Sequence, residues 1–409
     1  MQEESVSSFI RRAALAGAAL TLSVGPLAAC GSDDGGDDGG GGGAGGSADI
    51  TGACSLDSPP MSEAKMPEGG DAGKATGKVG VILPDTTSST RYETYDAPLL
   101  EEALSAAGLT PDIQNAQGDI NKFTSLAQNM IGAGVKVLII DSIDAASGAG
   151  VEKQADEAGV PVIDYDRVNL GGTAPYYVSF DNEDVGRLQA QTLVDCLDAS
   201  GAENPNIIMM NGGTDVDNNA VLFMKGAHAV LDPLADEGKL TITQEATVKG
   251  WKVENAAPTF QQAFTAVNGE VDGVLAANDD IANAVIGVLK TNGLDGSVVV
   301  TGQDAGVQGL QNIITGTQSM TVFKDVKLEA NAAAQLAIAV AAGTDPADAG
   351  LELAPFEDPE APDHDLQALL LPAQVITQAN VADVIDAGAL SADEICQGIE
   401  ADCEELGIS

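Results

Sequence analysis

Short apolar runs alternate with longer amphipathic segments from Gly77 onward. Residues 78–83 are rich in Val and Ile and predict a strand, and residues 93–107, which end before Gly108, predict a helix. The same alternation predicts further strands, with helices between most of them, at 111–115, 135–140, 160–164, 176–179, 206–210, 240–246, 271–276, 298–301 and 319–323. Near-continuous Val, Ile and Leu strands separated by helices indicate parallel sheets that are covered on both faces.

The alternation restarts after Asp181, which indicates that one fold is built twice. Residues 135–141 and 271–278 resemble each other, since each leads from an apolar strand to a polar residue. Parallel strands in general share this pattern, so the likeness of these two segments does not by itself distinguish a duplicated domain from two unrelated strands. The whole pattern predicts an α/β protein with two doubly wound, Rossmann-like parallel-sheet domains.

The chain is strongly acidic. Its 409 residues include 62 Asp and Glu against 18 Lys and Arg, which gives a formal net charge of −44. A surface with this charge repels phosphate backbones and anionic lipids, so a nucleic-acid partner is excluded. Dense carboxylates also keep a surface hydrated, and the composition is compatible with a salt-adapted or acid-tolerant source.

The N-terminal residues have the layout of an export signal. The basic pair Arg11-Arg12 precedes the apolar run 13–22, and small residues then lead to Cys30. The sequence Leu-Ala-Ala-Cys that ends at Cys30 resembles a bacterial lipobox, which implies removal of residues 1–29 and lipidation of Cys30. The paired arginines leave the twin-arginine route open. A transmembrane helix is the competing interpretation, but the run is short and is followed by Gly and Pro.

Residues 31–49 consist almost entirely of Gly, Asp, Ser and Ala. Such a segment cannot bury enough apolar area to offset the entropy of ordering, so it predicts a flexible tether. A coil of about 20 residues spans about 25 Å. We therefore expect a globular body held outside the cell, next to the outer face of the cytoplasmic membrane, which contacts the membrane only through the lipid anchor.

Four cysteines follow the predicted lipidation site, and an even number in an exported chain favours disulfides. They are Cys54, Cys196, Cys396 and Cys403, for which three pairings exist. The short spacing of Cys396 and Cys403 favours a bond between them, which leaves Cys54 for Cys196. A zinc site is the alternative, but no CxxC motif or suitable His spacing supports it.

Polar side chains recur at the carboxyl ends of the predicted strands, where open parallel sheets bind ligands. They include Asp85, Arg91, Tyr92, Asp141, Asp166, Arg167, Asn211, Asp217, Asn219, Trp251, Asn278, Gln303, Asp304 and Lys324. Carboxylate, amide and guanidinium groups can bind neighbouring hydroxyls of a sugar in pairs, and an aromatic ring can stack on its C–H face. Tyr92 and Trp251 lie in different halves, so two domains could close on a sugar between them.

The order of these motifs is similar to that in the xylose-binding proteins, which are pentose-type substrate-binding proteins of ABC sugar importers. The resemblance covers roughly residues 77–390 and rests on Arg91-Tyr92-Glu93, Tyr165-Asp166-Arg167, Ser179-Phe180-Asp181-Asn182, Asp217-Asn218-Asn219-Ala220, Gly250-Trp251, Asn278-Asp279, Gly302-Gln303-Asp304 and the stretch from Gly316 to Lys324. It implies the periplasmic binding protein type 1 fold and capture of a monosaccharide, D-xylose first, without a cofactor. It also implies delivery to the permease of an ABC importer by a monomer.

The resemblance further implies a set of sugar-binding residues: Arg91, Tyr92, Asp166, Arg167, Asn218 or Asn219, Trp251, Asn278, Asp304 and Lys324. It implies hinge crossings at Phe180, Asp181 and Asn182, and again at Lys324 and Asp325. The chain departs from the family at Tyr92, where Trp is usual, and at Ala277, where Ser is common. Since Tyr adds a hydroxyl, arabinose, galactose and glucose are alternative ligands, and presentation of a sugar to a chemoreceptor is an alternative role.

These crossings divide the chain into predicted parts. We expect a signal at 1–29, a lipidated tether with a lead-in segment at 30–76, an N-terminal lobe of 77–180 plus 325–345, a C-terminal lobe of 181–324 plus 346–390, and a tail at 391–409.

Enzyme and regulator classes fit the sequence poorly. The chain has two histidines and lacks a Gly-x-Ser-x-Gly elbow, a Walker A motif and a His-Glu-x-x-His motif. Its strand-end carboxylates have Arg and Asn neighbours that keep them ionised, which favours binding over glycoside hydrolysis. The loop 215–219 resembles a calcium loop, but Ala220 and Gly226 break that pattern, so no metal is expected. The export signal and the acidity exclude a sugar-responsive transcription regulator.

Overall fold

Two parallel sheets form the centres of two lobes, and both lobes belong to the compact unit Ser47–Ser409. The computed structural model describes residues 52–56, 58–64, 74–89 and 91–408. The predicted signal, the predicted lipidation site Cys30 and the Gly/Asp tether lie outside the described residues.

The first lobe begins with alternating strands and helices. Strands β1 to β5 are Gly77–Leu83, Leu109–Asn115, Val137–Ile140, Val162–Tyr165 and Tyr176–Phe180, and helices α1 to α3 are Ala97–Ala106, Ile120–Gly132 and Ala145–Glu157. The strands pair in parallel in the order β5-β4-β3-β1-β2. Side chains on both faces of the inner strands, such as Val79 and Ile82 of β1, are fully buried because helices cover both faces.

The second lobe repeats this arrangement. Its helices α4 to α8 are Asn182–Ala199, Asn218–Asp236, Val253–Ala266, Asp279–Thr291 and Val307–Ile314, and its strands β6 to β9 are Asn206–Asn211, Thr241–Thr247, Gly273–Ala276 and Val299–Val300. The strands are parallel in the order β7-β6-β8-β9. The side chains of Asp217 and Asn278 cap the N-termini of α5 and α7, which fixes where both helices begin.

The described chain passes between the lobes three times. The remaining elements are β10 (Met320–Phe323), α9 (Val326–Ala342), β11 (Ala354–Phe356), β12 (Leu366–Leu371) and β13 (Gln374–Thr377). Crossings follow β5 and β10, and a third lies between β12, which pairs with β5, and β13, which pairs with β10. Helix α9 packs against α1, so the chain is back in the first lobe after the second crossing.

Part of the predicted domain division is wrong. Residues 346–390 were expected in the C-terminal lobe, but β12 pairs in parallel with β5 and β11 pairs with β12, which extends the first sheet to the order β11-β12-β5-β4-β3-β1-β2. The physical reason is that Leu366–Leu371 is an apolar strand that covers an edge of the first sheet left open by β5. Residues 354–371 therefore belong to the N-terminal lobe.

The segment before β1 lies on the second lobe. Cys54 forms a disulfide with Cys196 of α4, one of the two predicted pairs. Farther along, Ser62 Oγ donates a hydrogen bond to Asp184 Oδ2 at 2.7 Å, and Arg187 Nη2 donates to the carbonyl of Met61 at 2.8 Å. The lead-in segment is therefore attached to α4 before the chain enters the first lobe.

Three short helices complete the chain: α10 (Ala382–Asp386), α11 (Ala392–Cys396) and α12 (Glu400–Leu406). The second predicted disulfide, Cys396–Cys403, joins α11 to α12, and Ile395 packs with Leu310 of α8 in the second lobe. Because all four cysteines are paired, the zinc alternative fails for them. No helix in the described ranges is both long and apolar enough to cross a lipid bilayer.

Candidate functional site: the cleft between the lobes

A closed cleft lies between the carboxyl ends of the two sheets. The first lobe lines it with Ser88, Ser89, Arg91, Tyr92, Asp166 and Arg167, and the second lobe with Asp217, Asn219, Phe223, Trp251, Asn278, Gln303, Asp304 and Lys324. The enclosed volume is about 30 Å³, which holds one or two water molecules. A larger ligand can therefore enter only when the lobes separate.

Arg91 organises the first-lobe side of the cleft. It precedes the π-helical turn Tyr92–Asp96 and donates from Nε and Nη2 to Asp96 at 3.0 and 2.8 Å. Its Nη1 donates to Asp166 at 3.2 Å, and its Nη2 also donates to the carboxylate of Glu329. Burial lowers the pKa of Arg91, but these three carboxylates outweigh burial and raise it well above its usual value. The guanidinium is therefore permanently charged.

Tyr92 joins the two charged residues at the end of β4. Its hydroxyl donates to Asp166 Oδ2 at 3.2 Å and accepts from Arg167 Nη2 at 3.2 Å. The guanidinium carbons of Arg91 and Arg167 lie 5.5 and 5.7 Å from the centre of its ring, within the range of cation–π contacts. Burial raises the pKa of Asp166, but Arg91, Lys324 and Arg167 outweigh it and lower the pKa overall. Asp166 is therefore an ionised acceptor.

The backbone of Asp166 is held in an uncommon conformation. Its φ of 60° is left-handed, which costs a non-glycine residue free energy unless the surroundings fix it. Its carbonyl accepts three hydrogen bonds, from Tyr177 Oη at 3.1 Å, Ser179 Oγ at 2.8 Å and Asn219 Nδ2 at 2.8 Å. Because Asn219 belongs to the second lobe, the last of these bonds joins the lobes across the cleft.

The one tryptophan of the chain, Trp251, is fixed in the second-lobe wall. Its Nε1 donates to Asp217 Oδ2 at 2.9 Å, and its ring meets Phe223 edge to face with centroids 6.4 Å apart. A Cβ at Gly212 would lie 2.1 Å from the Trp251 ring, and one at Gly213 would lie 2.7 Å from it. Both glycines are therefore required for the ring to occupy this place beneath the cavity.

Lys324 and Asp304 complete the second-lobe wall. Lys324 Nζ lies 3.2 Å from Asp304 Oδ1 and 5.8 Å from the ring centres of Phe180 and Phe223. Burial lowers the pKa of Lys324, but Asp304 and Asp166 outweigh it and raise the pKa overall. The ammonium is therefore charged and held between lobes, because Phe180 belongs to the first.

The cleft contains all but one of the residues predicted to bind sugar. Asn218 is partly exposed and does not line the cavity, whereas its neighbour Asn219 does. Cleft residues outside the prediction are Ser88, Ser89, Asp217, Phe223 and Gln303. Asp217 and Gln303 stand inside the motifs that carry the family resemblance. Phe223 follows Asn219 by four residues, so both lie on one face of α5, a spacing that could have identified it.

The predicted hinge residues lie at two of the three crossings. Phe180 is buried at the end of β5, and the side chain of Asp181 caps α4 by accepting from Asp184 N at 3.1 Å. Asn182 donates from Nδ2 to Ser179 Oγ at 3.2 Å, and Asp325 caps α9 by accepting from Lys327 N at 3.0 Å. The crossings after β5 and β10 therefore each end at a capped helix that begins in the other lobe.

The chemistry of the cleft suits a neutral polyol. Paired cations and carboxylates offer fixed donors and acceptors, which can each bind two neighbouring hydroxyls. The ring of Trp251 offers an apolar face to C–H groups. Within the residues that the structure describes, no group of three or more His, Cys, Asp or Glu side chains is arranged to hold a metal ion.

Comparison with known proteins identifies the family. The family described as "Periplasmic binding protein domain" matches residues 79–345. The chain is 38% identical to the D-xylose-binding periplasmic protein of Escherichia coli strain K12 over 271 residues, which cover 66% of this chain and 79% of that protein. It is 35% identical to a multiple sugar-binding periplasmic receptor of Rhizobium radiobacter over 264 residues, 61% of this chain and 74% of the receptor.

A solved structure agrees with this relationship. A carbohydrate transporter solute-binding protein from Chloroflexus aurantiacus, in complex with D-glucose, superposes with a TM-score of 0.70 at 32% identity. The match covers 78% of this chain and 98% of that one. The two-lobed α/β architecture predicted from the sequence is confirmed. The chain belongs to the periplasmic binding protein family, has its type 1 fold, and is a binding protein rather than an enzyme.

Proposed function

We propose that this chain is the sugar receptor of an ABC importer and that it captures an aldose, D-xylose first, in the cleft between its lobes. It then presents the closed, loaded form to the permease from outside the cytoplasmic membrane, to which a lipid on Cys30 anchors it as a monomer. Relatives at 38% and 36% identity are named as D-xylose-binding periplasmic proteins, which supports this choice of sugar.

One observation carries the proposal. Charged groups from both lobes converge on a single cavity: Arg91 with Asp166 on one side, and Lys324 with Asp304 on the other. Each group is already held by a protein partner, so little ordering entropy is lost when it binds a hydroxyl. A pyranose presents adjacent equatorial hydroxyls around its edge, and such an edge fits a ring of paired donors and acceptors.

Another monosaccharide is the second candidate ligand, and one residue favours it. Tyr92 stands where the xylose-binding proteins usually have Trp, and its hydroxyl bonds to Asp166 and Arg167. A change at this position alters which hydroxyls those two groups can reach. The relative from Rhizobium radiobacter is named for multiple sugars and the solved structure from Chloroflexus aurantiacus holds D-glucose, so glucose, galactose and arabinose belong in the test.

Titration calorimetry of the chain from Ser47 with D-xylose, L-arabinose, D-glucose, D-galactose and D-ribose tests the ligand. We expect saturable heat with one-to-one stoichiometry and D-xylose as the tightest ligand. Asp304→Asn should weaken that binding, while Asp295→Asn, at an exposed position, should leave it unchanged. If another aldose binds more tightly, that aldose takes the place of D-xylose as the proposed ligand. Absence of heat with all five sugars, or product formation from a xylo-oligosaccharide, would contradict the proposal.

The anchor has a separate test, because Cys30 lies outside the described residues. In a bacterial host supplied with a labelled fatty acid, we expect the full chain to carry label and to sediment with membranes. Cys30→Ala should lose the label and appear in the soluble fraction. Equal membrane association of both proteins, without label, would contradict lipidation.

A further inference from the structure

Arg167 lies between two carboxylates that belong to different lobes. Its Nε is 3.7 Å from Asp141 Oδ1 in its own lobe and 3.6 Å from Asp217 Oδ2 in the opposite lobe. At these distances it is attracted to both carboxylates and hydrogen-bonded to neither. Its two terminal nitrogens donate to neutral first-lobe groups, namely the Ser142 carbonyl at 3.1 Å, Ser88 Oγ at 3.1 Å and Tyr92 Oη at 3.2 Å. These bonds keep the guanidinium in the first lobe when the second lobe moves.

The two carboxylates differ in the support that they receive. Asp217 accepts from Asn219 N at 2.8 Å and from Trp251 Nε1 at 2.9 Å, and both donors belong to its own lobe. Asp141, at the end of β3, is fully buried, and neither of its oxygens accepts a hydrogen bond within the described part of the chain. A buried carboxylate without donors is costly. Asp141 therefore depends on Arg167, whereas Asp217 does not.

The other charges around Asp141 do not replace Arg167. Burial raises the pKa of Asp141 well above its usual value, and Asp166 and Asp96 add to the rise; Arg167 and Arg91 act against it but do not cancel it. Ionisation of Asp141 therefore depends on a closer approach of Arg167. Arg91 is committed to three other carboxylates, and the two oxygens of Asp166 accept from Arg91 and Tyr92. Arg167 is thus the cation in this neighbourhood that can turn fully toward Asp141.

We infer that Asp141 is a positioning residue that takes Arg167 when the lobes separate, so that Arg167 exchanges the opposite-lobe partner Asp217 for the same-lobe partner Asp141. This inference rests on the proposed function, because it requires that the lobes open to admit a sugar. Asp141 then stabilises the open, sugar-free form more than the closed form. The sugar binds the closed form, so part of its binding free energy is used to close the lobes. The apparent affinity is therefore the intrinsic affinity multiplied by the fraction of the sugar-free protein that is closed.

Asp141→Asn tests the inference, since it removes the charge and nearly preserves the shape. Small-angle scattering of the sugar-free chain from Ser47 should shift toward the compact, closed form relative to wild type. Sugar affinity should become tighter by about fivefold or more, in the range of typical coupling between sites, with slower sugar dissociation. Glu152→Gln is the matched control: Glu152 is also buried in the first lobe, but its Oε2 accepts from the backbone of Thr173 and Ala174, away from the cleft.

The direction in which sugar affinity changes distinguishes this positioning role from a merely structural one. Loss of a structural group predicts lower stability and weaker sugar binding, whereas the inference predicts tighter binding. Unchanged scattering without sugar, or equal or weaker affinity, would overturn it. If Asp141→Asn fails to fold, Asp141→Ser provides the same comparison with a smaller neutral side chain. If no tested sugar binds either protein, the proposed function fails, and the sugar-free scattering still decides the inference.

Discussion

Asn219 in the second lobe donates a hydrogen bond from Nδ2 to the carbonyl of Asp166 in the first lobe, at 2.8 Å. Its Oδ1 lies 3.2 Å from Tyr177 Oη, whose single proton is shared between this oxygen and the Asp166 carbonyl. Asp166 and Asn219 also line the cavity. The residues that hold the lobes together are therefore among those that face the ligand, which couples closure to binding.

Replacement of Asn219 should weaken ligand binding through lobe closure. Asn219→Ala removes the bond to the Asp166 carbonyl, worth about 1 kcal/mol, and the shared contact with Tyr177 Oη, so we expect about a fivefold or greater loss of sugar affinity. Calorimetry with the tightest aldose measures this loss. Asn121→Ala, at an exposed helix position in the first lobe, is the control and should bind as wild type does. Wild-type affinity in Asn219→Ala would show that these bonds do not contribute to closure.

Replacement of Arg91 should destabilise the whole protein. Arg91→Leu leaves Asp96 and Asp166 without their shared cation, and an uncompensated buried charge costs about 3–5 kcal/mol. Glu329 adds no charge to this loss at neutral pH, because burial raises its pKa to about 8. Urea unfolding at neutral pH measures the loss. Lys225→Ala breaks an exposed ion pair with Glu183 and should cost less than about 1 kcal/mol. A decrease of less than about 1 kcal/mol in the free energy of unfolding of Arg91→Leu would show that Arg91 does not stabilise the buried carboxylates.

Asp279 should make stability depend on pH. Burial raises its pKa in the folded protein to about 8, against about 3.9 in an unfolded chain. Between these values the folded form holds a proton that the unfolded form lacks. The contribution of Asp279 to stability is therefore fully present below about pH 4 and is lost as the pH rises through about 8.

The test of this dependence compares unfolding free energies between pH 5 and pH 8. Asp279→Asn cannot ionise, so its free energy of unfolding should fall less over this interval than that of wild type. Asp112→Asn, at an exposed position on β2, should follow wild type. Parallel pH profiles for wild type and Asp279→Asn would refute the prediction.

The two disulfides should contribute unequally to stability. Cys54–Cys196 joins residues 142 apart in sequence, and Cys396–Cys403 joins residues 7 apart. Loop-closure entropy assigns them about 5 and about 2 kcal/mol. Replacing the first pair by Ser should therefore lower the free energy of unfolding more than replacing the second, as measured in urea. An equal loss, or a larger loss for the second pair, would contradict this ranking.

The sequence predicted the alternating parts of both sheets well, because the inner strands are continuous apolar runs and amphipathic helices separate most of them. The elements after α9 were missed for a physical reason. The strand Ala354–Phe356 has only three residues, which is too short to show a period. Leu366–Leu371 is an apolar run, but no helix separates it from the strands on either side, so the alternation that identified the other strands is missing. Their place in the first sheet depends on an open edge at β5, which is tertiary information.

The convergence of the cleft residues was predictable, since carboxyl ends of parallel strands meet at one edge. The sequence could not predict which of Asn218 and Asn219 lines the cleft. This depends on the residue at which α5 begins, which the Asp217 cap sets, and one residue of shift turns a helical side chain by about 100°. The pairing of Tyr92 with two guanidinium groups was also hidden, because Arg167 lies far from it in sequence and only the fold brings them together.

A fluorescence titration with D-xylose tests the central claim most directly, because Trp251 is the only tryptophan and lies in the cleft wall. Trp251 is 6% exposed in the closed form, and lobe separation changes its surroundings. We predict a saturable change in Trp251 emission at the same D-xylose concentrations that saturate the calorimetric signal. No change in emission and no heat with D-xylose or any other aldose would contradict the central claim.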